Sequence, residues 1–254
     1  MSDPPFDVDG SGGPTGPIAA SPAPTLEQRL VAVVEVALCS DLPTQLVLSV
    51  VFVRLGFGPR GGAFDIRFVA PLLLADTVVL IGLILLFLRA HGERPSEVFF
   101  GHRPWLGELR AALPMTVAVY VTAVVVLVTL AAVAPWLHTV AENPLQGLLK
   151  APGNAAVFAL VVVVAGGIRE EVQRAFILRR FEQSLGGPTV GVVASSVAFG
   201  LGHLVQGADA ALTTGLLGAF WGVAYLRRRS IIAPVVSHAG FDLLQIGVFL
   251  ATAR

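Results

Sequence analysis

Beyond residue 25 the chain is a succession of long apolar runs broken by short stretches of glycine, proline and charge. The runs lie near residues 30 to 54, 68 to 88, 112 to 137, 154 to 178, 189 to 205, 210 to 226 and 231 to 251. A helix needs roughly 20 apolar residues to cross the hydrocarbon core of a bilayer, and these runs approach or exceed that length. They predict an all-α fold: a polytopic transmembrane helix bundle of about seven crossings, with residues 26–254 as a single transmembrane domain. Residues 1–25 read differently. Pro, Gly, Ser and Asp dominate there, so the segment cannot offset the entropy of ordering and is expected to be a disordered amino-terminal tail. Between the second and third runs, residues 89 to 111 mix four Arg with Phe99, Phe100 and Trp105, which suits a loop or interfacial helix at headgroup level. No internal repeat is visible.

Composition strengthens this picture. Of 254 residues 55% are hydrophobic and 13% charged, about half the charge of a soluble domain. Lys and Arg together number 17, as do Asp and Glu, so no basic surface points to nucleic acid as a partner. Cys39 is the single cysteine, which leaves neither an internal disulfide nor a cysteine-based zinc finger. No removable signal peptide is expected. The one Lys against sixteen Arg suggests GC-rich bacterial coding. Short loops rich in Lys and Arg stay on the cytoplasmic side. With the amino terminus inside, ten basic residues fall inside, among them Arg179, Arg180 and the run Arg227 to Arg229, and five fall outside. The expected location is the cell (inner) membrane, multi-pass. The run Arg227 to Arg229 is read as a topological anchor.

Ionisable residues within a bilayer are costly, so each one is a candidate for chemistry until a plainer role is found. Glu35, Asp41 and Asp76 are isolated, and are expected to be interfacial or satisfied by neighbours such as Ser40, Thr44 or Thr77. His91, His102 and His138 fall in loops and are expected to be solvated. The last hundred residues differ: Glu170, Glu171 and Arg174 occur in GGIREEVQRAFILRR, His203 in SSVAFGLGHL, and His238 with Asp242 in APVVSHAGFDLL. On a helix Arg174 shares a face with either carboxylate, and His238 shares one with Asp242. Glu170 is about 9 residues, roughly 13 Å, inside a boundary drawn at Arg179 and Arg180, and His238 is equally deep from Arg229. Glu170 and His203 are equidistant from the Gly186–Gly187 pair, so an antiparallel hairpin turning there brings them level. Gly187, Gly191 and Ser195, and likewise Gly218 and Gly222, recur every fourth residue and predict close helix packing.

A carboxylate and two imidazoles at one buried depth suit hydrolysis of an amide. Glu170 as base can take a proton from water while His203 orients or shares it. His238, with Asp242 one turn away, can polarise the attacked carbonyl or protonate the leaving amine. There is no GxSxG and no HExxH, so a serine nucleophile or a zincin-type site has no support.

The three ordered motifs, Glu-Glu-x-x-x-Arg at Glu170, Glu171 and Arg174, Phe-x-x-x-His at Phe199 and His203, and His-x-x-x-Asp at His238 and Asp242, resemble those of the CPBP family. These are the CAAX proteases and bacteriocin-processing enzymes of the Abi type, polytopic intramembrane endopeptidases. The resemblance spans residues 154–251, a peptidase motif core. It implies that Glu170 and His203 activate a water, that His238 and residue 242 stabilise the oxyanion, and that Glu171 with Arg174 supports the site, without metal or other cofactor. Many relatives carry Asn at the position of Asp242, and an ionised carboxylate cannot donate to an oxyanion as an amide does. Asp242 is then protonated, or orients His238, or ligates a metal. Two His with Glu and Asp would be acceptable zinc ligands, so a metal-dependent variant stays open. Expected partners are membrane lipid and a peptide or protein substrate close to the membrane. A non-catalytic maturation or immunity factor is the main rival, and a proton-coupled transporter is a weaker one for want of inverted repeats.

Overall fold

The computed structural model describes residues 23–60, 65–149 and 153–252. The tail expected over residues 1–25 lies outside them except for its last three, as do Lys150 and Arg254. The described residues form helices and no strand: α1 Leu26–Leu38, α2 Asp41–Arg54, α3 Ile66–Ala90, α4 Pro95–Phe99, α5 Trp105–Val133, α6 Asn154–Val161, α7 Glu170–Ser184, α8 Pro188–Gly202, α9 Ala208–Arg228 and α10 Ile232–Thr252. A π-helical stretch, Val162–Arg169, joins α6 to α7. Every expected apolar run is therefore helical, though two are broken. Thr25 starts α1 with a reciprocal cap, its hydroxyl accepting from the Gln28 amide and the Gln28 side chain accepting from the Thr25 amide.

This is a multi-pass membrane protein. Helices α3, α5 and α10 are each long and apolar enough to cross, and α1 with α2, bent by 45° at the break, would make a fourth span. Seven crossings were expected, and length with hydropathy supports three or four. The difference has a physical reason: α7 carries charge along its length, α9 is diluted by Gly, Thr, Trp and Tyr between charged ends, and α8, although apolar, has only 15 residues.

The bundle has two distinct ends. At one, the loop around α4 meets the α7–α8 and α9–α10 turns. There Ile231 donates its amide to the Phe99 carbonyl at 2.8 Å, the Tyr225 hydroxyl donates to Val98 at 3.0 Å, and Arg229 grips Glu182 at 2.6 and 2.7 Å. Beneath it lies the main core, with Leu80, Ile84, Leu88, Phe176 and Leu178 fully buried. At the other end the segment after α5 meets the α8–α9 turn: His138 pairs with Asp209 at 2.8 Å and Asn143 donates to Gln206 at 3.1 Å.

Several charged residues sit differently from expectation. Glu35 and Asp76 are held by cations from distant helices and not by neighbouring hydroxyls. Arg180, taken as a membrane boundary, is only 2% exposed and holds Glu35 at 2.5 Å and Glu93 at 2.7 Å, while His91 closes on the other Glu35 oxygen at 2.6 Å. A hydroxyl supplies one hydrogen bond and no charge, whereas a buried carboxylate needs both. At Glu93, outside the spans, burial pushes the carboxyl up, but hydrogen bonds from Gln183 and Arg180 outweigh this and hold it below its ordinary value. Arg228 and Arg229 of the basic run are engaged by Glu108 and Glu182. Of the small residues, Gly191 packs on Phe181 and Gly218 on Phe199, where a Cβ would come within 2.7 and 2.9 Å. Gly187 instead forms the α7–α8 turn with φ +94°.

Removing Glu35 takes one of two carboxylates from buried Arg180, which keeps Glu93, whereas removing Arg180 strips both acids at once. Glu35→Leu is expected to cost about 1.5–3 kcal/mol and Arg180→Met about 3–5 kcal/mol, each read as a lower unfolding midpoint in detergent.

Candidate active site

The site is assembled where the π-helical stretch runs into α7. A π turn inserts a residue into the helix and shifts the face that the following residues present. Gly166 and Gly167 lie on that stretch against α10. A Cβ on Gly166 would stand 2.7 Å from Asp242 Oδ2, and one on Gly167 would stand 2.9 Å from the Ala239 Cβ. The two glycines let α10 approach closely enough to set His238 and Asp242 beside Glu170 and Glu171.

All six expected residues come to one region. His238, 5% exposed, is the hub. Its Nδ1 donates to Glu171 Oε1 at 2.8 Å, and its Nε2 stands 3.7 Å from Glu170 Oε2 and 4.0 Å from Asp242 Oδ2. Its ring lies on Trp221, with centroids 3.8 Å apart and planes within 16°. Glu171, 1% exposed, also accepts from Arg174. The Arg174 guanidinium in turn covers the Phe199 ring at 4.7 Å and the Trp221 ring at 5.7 Å. Glu171 and Arg174 thus fix His238 from below, as a carboxylate does behind any working imidazole. His203 caps the end of α8. It donates from Nδ1 to the Phe199 carbonyl at 2.8 Å, which leaves Nε2 with its lone pair free. Phe199 stands between the two imidazoles, 4.7 Å from the His203 ring and 6.1 Å from that of His238.

Residues that the sequence did not single out complete the surroundings. Arg169, buried at 3% exposure, donates to Asp76 of α3, to Asp41 of α2 at 3.4 Å and to Glu170 at 3.3 Å. Asp41 and Asp76 are thus not isolated; they neutralise the cation that steadies Glu170. The signal available beforehand was the rarity of charge in a bilayer, where two lone acids and one lone Arg must find each other. Trp221 carried no such signal, since an apolar Trp on α9 reads as core.

Glu170, Arg174, His203, His238 and Asp242 line one cavity of about 880 Å³, a size suited to a peptide segment. Its walls are mostly apolar, with Leu149, Phe158, Val161, Ile246 and Phe249 among them. Among the described residues no three His, Cys, Asp or Glu side chains are grouped so as to hold a metal ion.

Residues 152–244 match the family model described as type II CAAX prenyl endopeptidase Rce1-like. No curated protein and no solved structure matches the chain. The matched stretch contains all six site residues and the π-helical turn that positions them.

Gly166→Ala places a methyl group where Asp242 Oδ2 now sits, and the side chain can swing away. Peptide cleavage is expected to fall about 10²-fold at an unchanged unfolding midpoint, as measured by turnover and detergent melting of the same preparation.

Proposed function

From the membership of residues 152–244 in the Rce1-like family of CPBP membrane proteases, we propose that this protein is an intramembrane endopeptidase of the glutamate type. It hydrolyses a peptide bond near a membrane anchor or hydrophobic tail, in the inner membrane of a bacterial cell. The observation that carries this reading is the pair of gaps around His238 Nε2, 3.7 Å to Glu170 and 4.0 Å to Asp242. Each is too long for a direct hydrogen bond, and one water oxygen about 2.8 Å from both sides would span it.

Glu170 takes a proton from water, and the oxygen attacks the peptide carbonyl carbon. His203, with its Nε2 lone pair free, accepts from the same water and aims it. The carbonyl becomes an oxyanion held by Nε2–H of His238, carried as an imidazolium whose Nδ1–H rests on the Glu171 carboxylate, and by a donor at position 242, a carboxyl O–H here and an amide N–H in many relatives. The proton held by Glu170 then passes to the leaving nitrogen as the carbon–nitrogen bond breaks, yielding a carboxylic acid and an amine. Glu171 and Arg174 keep His238 in place throughout.

Glu170→Gln is expected to reduce cleavage of a membrane-anchored peptide about 10²–10⁴-fold with the unfolding midpoint retained; cleavage at the parent rate would end this reading. Asp242→Asn is expected to stay within about tenfold of the parent, whereas Asp242→Ala loses about 10²–10³-fold. Turnover in the presence of a strong zinc chelator is expected to match that of the untreated protein.

A further inference from the structure

The two ends of the bundle differ in what they offer the cavity. At the arginine-rich end Leu88, Val98, Phe99, Phe176, Tyr225 and Ile231 pack into one buried cluster, and none of them lines the cavity. No residue of the 91–104 or 227–231 loops lines the cavity. At the opposite end Asn143 and exposed Gln146, from the segment after α5, and Gln206, from the α8–α9 turn, do line it. Gln245 of α10 lies on the same wall.

Among the described residues ten basic residues mark the closed end and its helix termini as cytoplasmic, against Arg54, Arg60 and Arg67 at the other. The alternation of helices agrees: Glu35 meets Arg180 near the closed end and Asp41 meets Arg169 deeper in the bundle, so α1 runs inward from the closed end, and α3, α5, α7, α8, α9 and α10 then run alternately between the two ends. We infer that the catalytic cavity opens to the exoplasmic face, so that the scissile peptide segment enters from outside the cytoplasm. The mouth is built from neutral primary amides. Each both donates and accepts, which complements the peptide groups of an extended chain and shows no preference for either charge. Below it the apolar wall of Leu149, Phe158 and Phe249 offers a seat for an apolar side chain. This inference rests on the proposed peptidase reading for its substrate, but its sidedness is measurable without any cleavage.

The test uses the full chain with Cys39→Ala, since buried Cys39 is the one native thiol. Gln146→Cys reports on the mouth, Gln206→Cys repeats it should the first variant fold poorly, and His102→Cys reports on the closed end. A membrane-impermeant maleimide is added to spheroplasts and to inside-out vesicles. Labelling of Gln146→Cys from outside, with His102→Cys labelled only in inside-out vesicles, is the expected result; the reverse pattern overturns the inference. In the same samples the bulky label at the mouth is expected to abolish cleavage of an anchored peptide, and full labelling with cleavage intact overturns the entry route. Should the unlabelled parent cleave no peptide, the peptidase reading falls while the labelling pattern still decides which face the cavity meets.

Discussion

A charge cannot be left alone inside a bilayer, and most of this structure follows from how the charges of α7 and the turn before it are matched. Arg169 draws in Asp41 and Asp76, Glu171 draws in Arg174 and His238, and Arg180 draws in Glu35 and Glu93. Apart from Glu171–Arg174, which lies within α7, each pair joins this stretch to another part of the chain. In a soluble protein such links would be worth little at the surface. In an apolar medium the unmatched state is so costly that the links dictate which helices are neighbours.

The same matching separates support from chemistry. Glu171 is saturated by Arg174 and His238, and so is available only as a strut. Glu170, one residue earlier, contacts Arg169 on one side and leaves an oxygen directed toward the His238 gap. Two adjacent glutamates thereby acquire different duties through their partners alone. The π-helical turn before them and the glycines on it make this division geometrically workable, because α10 is admitted close enough for its His and Asp to meet the second face of α7.

The aromatic groups complete the enclosure. Trp221 lies flat on His238, and Phe199 separates it from His203, so both imidazoles are held by ring faces as well as hydrogen bonds. A hydrogen bond made in the gap between the acids and the imidazoles gains strength from the low polarity of its surroundings.

Much of this was legible beforehand. The helical, membrane-embedded fold followed from run lengths, because a bilayer admits few architectures. That Glu170, Glu171, Arg174, His203, His238 and Asp242 come to one region followed from the scarcity of charge in the last hundred positions and from i, i+3 and i, i+4 spacing, which helix geometry converts into shared faces. What the linear order could not convey is who pairs with whom across the bundle. Asp76 and Arg169 are 93 residues apart, and Glu35 and Arg180 are 145 apart. Nor did hydropathy reveal the π turn, the stacking of Trp221 on His238, or the end at which the cavity opens. Those depend on which helix faces are brought together, and that is decided by packing and charge matching in three dimensions, on which periodicity along one helix is silent.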